Sequence, residues 1–202
     1  VEIHYLGKAV NTQTPATGTV TNDMLAGSIA NSKLANSSVS INGSSVSLGG
    51  SITGIGEANT PAWLVRYNGE QNLSDFATTK VTGWSIEEVD TDNAFASDKF
   101  TVPSGGAGKY YVYTAIQLKG DATSRLLKTN LHIYKNGSSA AFMAEDFRDN
   151  PINQASATIS TILDLSVGDY LEVYVAVDVN AGTPYYEGNN KRAMFGGFKI
   201  TT

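Results

Sequence analysis

Tyr170-Leu-Glu-Val-Tyr-Val-Ala-Val-Asp-Val179 alternates without a break, with Leu171, Val173, Val175, Val177 and Val179 on one side and Tyr170, Glu172, Tyr174, Ala176 and Asp178 on the other. A side-chain period of two belongs to an extended strand, and a wholly aliphatic side is the one turned to a core. The pattern returns over 109–119, where Tyr110, Val112, Ile116 and Leu118 fall on one side around Thr114, and Tyr111, Tyr113, Ala115 and Gln117 on the other. Working outward, runs rich in Val, Ile, Tyr, Phe and Thr predict further strands over 62–67, 79–89, 99–102, 126–135, 138–147, 155–165 and 194–201. Asn136-Gly137 predicts a tight hairpin turn, and Ser166-Val-Gly-Asp169 a second turn. Nothing after residue 61 has a helical period. Many short strands at regular spacing predict an all-β fold, a sandwich or barrel of antiparallel strands.

The chain has 202 residues, 41% of them hydrophobic and only 16% charged, against about 25% charged in ordinary soluble domains. Its polar surface is therefore largely Ser, Thr, Asn and Gly. A net charge of −5 at pH 7 argues against a basic face for nucleic acid. The absence of cysteine excludes disulfides, thiolate metal centres and thiol chemistry. No apolar run approaches the roughly 18 residues of a membrane span, and the start lacks the features of a secretory signal. Membrane insertion is not expected, and Val1 is read as following a removed initiator Met.

Residues 1–59 read differently, with no aromatic residue after Tyr5 and mostly Ser, Asn, Thr, Gly and Ala. Such a chain buries too little apolar surface to offset its own ordering entropy. Val20-Thr-Asn-Asp-Met-Leu-Ala-Gly-Ser-Ile29 is followed by Ala30-Asn-Ser-Lys-Leu-Ala-Asn-Ser-Ser-Val39, so that Asn22, Leu25, Ala26 and Ser28 match Asn31, Leu34, Ala35 and Ser37. Two readings stand: a flexible Ser/Asn linker, or short repeats that order only against copies of themselves. The second gives a thin repeat-containing neck over 20–59 and an extended arm over 1–19. Alternation around Ile3 and Tyr5, with Leu6, suits addition of a strand to a partner's sheet. Val39–Leu48 alternates around Asn42-Gly43, a short hairpin signal.

Asp98-Lys-Phe-Thr-Val-Pro103 followed by Gly108-Lys-Tyr-Tyr-Val-Tyr113 is similar to the Phe-x-Val-Pro…Gly-x-Tyr-Tyr signature of the tumour necrosis factor-like jelly rolls, in their complement globular-head branch. Ile133-Tyr-Lys-Asn-Gly137 resembles that family's Lys-Asn-Gly hairpin, and Leu163-Asp-Leu-Ser-Val-Gly-Asp-Tyr-Leu-Glu-Val173 its Leu-x-x-Gly-Asp-x-Val segment. Phe195-Gly-Gly-Phe198 resembles its closing strand. Four fragments in the right order make the resemblance specific. Residues 31–50 are similar to the neck of bacteriophage fibre proteins that carry such a head. The resemblance implies a jelly-roll head over 60–202, a homotrimer and a place on the virion surface. It allows calcium near the trimer axis, though no residue here marks a site.

The tyrosine-rich sides of 109–118 and 170–179 are unusual for a solvent face. Tyrosine buries much area while keeping a polar tip, which suits a subunit contact. Tyr111, Tyr113 and Tyr174 are therefore the candidate trimer contacts, exposed tyrosines on a stiff sheet being the other reading. Successive connections of an antiparallel jelly roll alternate between its ends. Counting back from the C-terminus places the loops 119–125, 148–154 and 180–193 together, opposite the tight turns and the entering neck. Long loops on a rigid scaffold often carry binding. Phe147, Arg148, Tyr185, Tyr186 and Arg192 offer aromatic and arginine chemistry for a host glycan or protein.

No catalytic residue is expected. His4 and His132 are far apart and lack zinc spacing or a triad companion, and His132 reads as a strand residue of the surface or an interface. Glu87-Glu88, Asp90, Asp92, Glu145-Asp146 and Asp149 supply carboxylates of the type that cleave glycosides, without a spacing that singles out a pair. Asp90, Asp92 and Asp98 lack a Gly-centred calcium loop, and neither glycine run opens a phosphate loop. No metal or cofactor is assigned. The expected function is that of a structural virion protein, a homotrimeric tail or head fibre of a phage. Its arm would join other virion proteins and its distal loops would bind a host surface receptor, a glycan foremost. The alternative is a capsid-mounted head fibre or decoration protein with a weak receptor role or none.

Overall fold

The structure, a computed structural model, describes residues 17–20, 24, 27, 34–41, 43–52 and 59–200. The chain divides into two units, Val1–Gly56 and Glu57–Thr202. In the first, β1 (Ser38–Ile41) and β2 (Ser44–Ser47) pair antiparallel with Val39 opposite Val46, and Gly43 turns between them at φ +77°. This is the expected hairpin. Ile3, Tyr5 and Leu6 and most of the repeat lie outside the described residues.

Among its described residues the strands of the second unit are all antiparallel, and the one helical element is a short 3-10 turn at Asn189–Lys191. Its strands are β3 (Ala62–Tyr67), β4 (Glu70–Asn72), β5 (Thr79–Lys80), β6 (Trp84–Asp90), β7 (Phe95–Ala96) and β8 (Lys99–Thr101). They continue as β9 (Gly108–Lys119), β10 (Leu126–Lys135), β11 (Ser138–Asp146), β12 (Gln154–Leu165), β13 (Tyr170–Val179), β14 (Tyr185–Glu187) and β15 (Ala193–Lys199). One sheet has six strands in the order β11-β10-β13-β8-β7, with β5 also on β13. The other has seven in the order β4-β14-β9-β15-β3-β6, with β12 on the remaining edge of β9. They form a jelly-roll-like sandwich.

The aliphatic sides read from the sequence do face inward: Leu171, Val173, Val175 and Val177 are wholly buried, as are Tyr110, Val112 and Leu118. Thr114 belongs among them because its hydroxyl donates to the Met194 carbonyl at 2.8 Å, which removes the cost of burying it. Across the core, Trp63 of the seven-stranded sheet stacks on Phe100 of the six-stranded sheet at 3.7 Å and 8°.

The single strand expected over 79–89 is in fact two, in different sheets. The chain crosses at Val81–Gly83, where Gly83 takes φ +78° and the Asp98 carboxylate accepts from the Gly83 and Trp84 amides at 2.8 and 3.1 Å. The turn Ser166–Asp169 likewise joins β12 of one sheet to β13 of the other, so it is a corner and not a hairpin. Tyr185–Glu187, expected in a loop, pairs with β9 and β4.

Hydrogen bonds gather the connections at two ends. Gly120 donates to Asn153, Asn180 to Arg125 and to Ser124, and Thr183 to Asp121, which joins the three long loops. At the other end Asp169 accepts from Asn136 at 2.7 Å and pairs with Lys135 at 2.9 Å. Lys199 donates to Pro61 and Ile200 to Lys109, so the chain enters the head and leaves it at this tight-turn end.

Candidate functional site

The long-loop end brings the sequence-nominated residues near one another but not onto one surface. Tyr186 is wholly buried and bonds Thr82, donating its hydroxyl proton to the carbonyl at 3.1 Å. It is a core residue, because β14 alternates and its middle side chain points inward. Phe147 packs against the core. Arg148 is spanned by Asp146 and Asp178, both at 2.8 Å. Tyr185 and Arg192 lie on the outward side of the seven-stranded sheet, where Glu187 sits between Lys119 and Arg192 at 3.0 Å from each. Burial opposes the Glu187 charge, yet the two cations outweigh it and hold the carboxyl below the usual range. Arg192 also donates to Gln117 at 2.9 Å, and the Lys119 ammonium stands over the Tyr185 ring at 5.2 Å.

Towards the tight-turn end the same face becomes apolar. Register places Ile162, Tyr111 and Phe198 in one row across β12, β9 and β15. The next row runs Ser160, Tyr113, Gly196, Leu64 and Val89. Tyr111 lies 5.9 Å from Tyr113 and 5.6 Å from Phe198, ring to ring. Ile162 is 60% exposed, and Ile86 and Val89 are each 40% exposed. Charges interrupt the patch at Glu88: Arg66 donates to it at 2.8 Å, with Lys191 at 4.0 Å, and its carboxyl is held below its usual range, chiefly by the Arg66 hydrogen bond. Contiguous apolar and aromatic surface of this kind, with a charged rim, is the usual signature of an interaction face.

Tyr174 does not share that face. It stands on β13 in the six-stranded sheet, on the opposite outer side of the sandwich, and stacks on Tyr134 at 4.1 Å. The alternation that identified all three tyrosines as outward-facing could not say in which sheet each strand lay. Among the carboxylates, Asp90 accepts from the Ala94 and Phe95 amides at 2.9 Å each, which makes it a turn residue. Among the described residues no group of three acids or histidines is placed to hold a metal ion.

No protein-family model matches the chain. No curated protein matches it. Among solved structures, Eiger TNF from S. frugiperda is similar at 17% identity and a TM-score of 0.51, with 69% of this chain and 92% of that one covered. Murine APRIL is similar at 14% identity and a TM-score of 0.50, covering 69% and 98%. The head folds like the tumour necrosis factor-like jelly rolls. The globular domain of zebrafish complement 1qA matches at 20% identity and a TM-score of 0.48, covering 70% and 98%. At these identities the likeness concerns the fold.

Seen as a jelly roll, the head has its apolar outer face on the sheet that holds the closing strand β15. Sequence reasoning found Tyr111 and Tyr113 there and missed Phe198, Leu64, Val89 and Ile162. The missing signal was register: these residues sit one to a strand, and only cross-strand pairing assembles them into rows.

Proposed function

We propose that this chain is a structural virion protein, a homotrimeric phage fibre whose jelly-roll heads pack through the outward face of the seven-stranded sheet. The observation that carries the reading is the row Ile162–Tyr111–Phe198 with Tyr113, Leu64 and Val89 beside it, an exposed apolar surface on an otherwise Ser- and Thr-rich protein. The resemblance of residues 31–50 to fibre necks supports the fibre. A closed ring of three would cover this face and add stability to a chain without disulfides. The arm, including Ile3, Tyr5 and Leu6, would join other virion proteins, and the long-loop end would meet a host receptor, a glycan foremost. Sedimentation of Tyr111→Asp with Phe198→Asp tests the packing: the double variant is expected to be monomeric, and a persisting trimer would place the interface elsewhere.

One observation favours the second reading, a capsid-mounted head fibre or decoration protein with little receptor role. The loop-end arginines Arg148 and Arg192 are bound to acids of the same chain, and Tyr186 is buried, which leaves fewer groups at that end for a receptor. Adsorption of virions carrying Tyr185→Ala with Arg192→Ala separates the two.

A further inference from the structure

The outward face of the six-stranded sheet carries a second aromatic surface of different character. His132 on β10 stands opposite Phe142 on β11 and Tyr174 on β13. Its ring is 4.6 Å from Phe142 and 5.6 Å, edge to face, from Tyr134, which in turn stacks on Tyr174. Four rings thus touch in one run, ending at Phe142, which is 55% exposed. The outward positions beside them are Asn130, Ala144, Ala176 and Glu172, none a branched aliphatic residue. The apolar face on the other sheet, by contrast, mixes Tyr with Leu64, Ile86, Val89, Ile162 and Met194.

The polar groups of this shelf are arranged for hydroxyls. The Asn130 side-chain oxygen is buried without a hydrogen-bond partner, between the small Ala144 and Ala176 and next to His132 on the outward side of β10. A buried acceptor left unpaired is costly, and a ligand donor relieves that cost. His132 Nδ1 meets the Ser139 hydroxyl at 3.0 Å, and the Tyr174 hydroxyl donates to Glu172 at 3.3 Å. Charges at the rim balance within the chain: Lys80 pairs with Glu172 at 2.7 Å, Arg148 with Asp146 and Asp178 at 2.8 Å each, and Lys128, opposite Asp146 and Asp178 in register, stands over the Phe76 ring at 5.4 Å. Burial lowers the His132 pKa and so favours the uncharged imidazole. The shelf offers a ligand flat π-faces and hydrogen-bonding atoms beside charges of both signs that sum to zero.

We propose that this shelf binds an uncharged glycan. One face of a pyranose ring is a flat array of polarised C–H groups that packs on an aromatic ring, while its hydroxyls seek acceptors and donors at the edge of that ring. Phe142 supplies the ring, and Asn130, whose oxygen is covered in the folded chain, supplies the acceptor once a neighbouring side chain shifts. The charge balance selects against sulfated and sialylated sugars. The shelf does not depend on the trimer proposed above. If that trimer forms through the seven-stranded sheets, its three shelves face outward, and avidity multiplies weak single contacts.

The test applies the full-length protein to an array of uncharged oligosaccharides of glucose, galactose, mannose and N-acetylglucosamine, with sulfated and sialylated glycans alongside. The tightest uncharged sugar is then titrated calorimetrically. Binding is expected to weaken by about tenfold or more in Phe142→Ala and to persist in Phe142→Tyr, with sedimentation unchanged in both. Asn130→Ala, which removes the acceptor and little volume, is expected to weaken binding too and serves if Phe142→Ala fails to fold. Retention of only charged glycans, or of none, overturns the proposal. So does full affinity in Phe142→Ala, which would move the sugar elsewhere and leave the loop-end reading standing. An altered oligomeric state in Phe142→Ala overturns it as well, making the shelf a contact between copies.

Discussion

Tyr113 lies across Gly196: a β-carbon on that glycine would stand 2.7 Å from the tyrosine hydroxyl and ring. One residue on, Gly197 does the same on the inner face, where a β-carbon would run into the Trp63 ring. The Phe195-Gly-Gly-Phe198 strand therefore keeps one glycine on each side, each vacated for an aromatic ring of a neighbouring strand. Gly197→Ala meets a packed indole and, at 2.7 Å, the Tyr111 carbonyl, whereas Gly196→Ala meets the movable outer end of a tyrosine and, less closely at 2.9 Å, the Trp63 carbonyl. Overpacking of the first kind costs about 1–3 kcal/mol. Urea denaturation is expected to show a larger loss for Gly197→Ala than for Gly196→Ala. Equal losses would contradict this assignment.

Trp63 and Phe100 join the two sheets through the core. Phe100→Ala is expected to cost about 3–5 kcal/mol, the range for removing a buried aromatic ring. Tyr186→Ala belongs to the same class, since that side chain is wholly buried. Thermal unfolding of the two variants checks both, and a near-native midpoint for Tyr186→Ala would restore it as a surface residue.

Asp169 ties two corners of the tight-turn end together. Lys135 first, then Asn136 and the Ser166 amide, hold its carboxyl down from an ordinary 3.8 to about 2. A carboxyl depressed in the folded state stabilises above its unfolded value, and that stability fades as pH falls through the folded value. The Asp169 contribution is thus full near pH 5 and lost between about pH 4 and 2. Asp169→Asn is expected to lower the urea midpoint at pH 6 and to flatten the acid limb over that window. An acid limb of unchanged shape would assign the dependence to other groups.

The periodicity of 170–179 and 109–119 was enough to read both strands and their inward sides, because a period of two survives any tertiary context that buries one face. The Lys-Asn-Gly and Val-Gly-Asp segments, 30 residues apart in sequence, meet through the Lys135, Asn136 and Asp169 side chains, which gives both motifs a physical reason to be present together. What sequence could not carry was sheet membership. Tyr111 and Tyr174 have the same local pattern and stand on opposite sides of the sandwich. Gly83 hid the break in 79–89 because the flanking residues keep strand propensity on both sides. Tyr186 looked like a loop residue since β14 is only three residues long, too short for alternation to register. Phe142 escaped notice because its neighbours in β11 are mostly small.

Loop-end recognition has its own consequence. With Tyr186 inside the core, the accessible pair is Tyr185 and Arg192. The double alanine variant is expected to keep its oligomeric state and to reduce adsorption to cells severalfold. Unchanged adsorption would favour the decoration-protein reading.

The most direct test of the central reading is sedimentation equilibrium of the full chain beside Tyr111→Asp with Phe198→Asp and, separately, Tyr174→Asp. A species of three 21.4 kDa chains is expected for the unaltered protein and for Tyr174→Asp, and a single chain for the double variant. A monomeric parent, or a double variant that stays trimeric, would contradict assembly through the seven-stranded sheet.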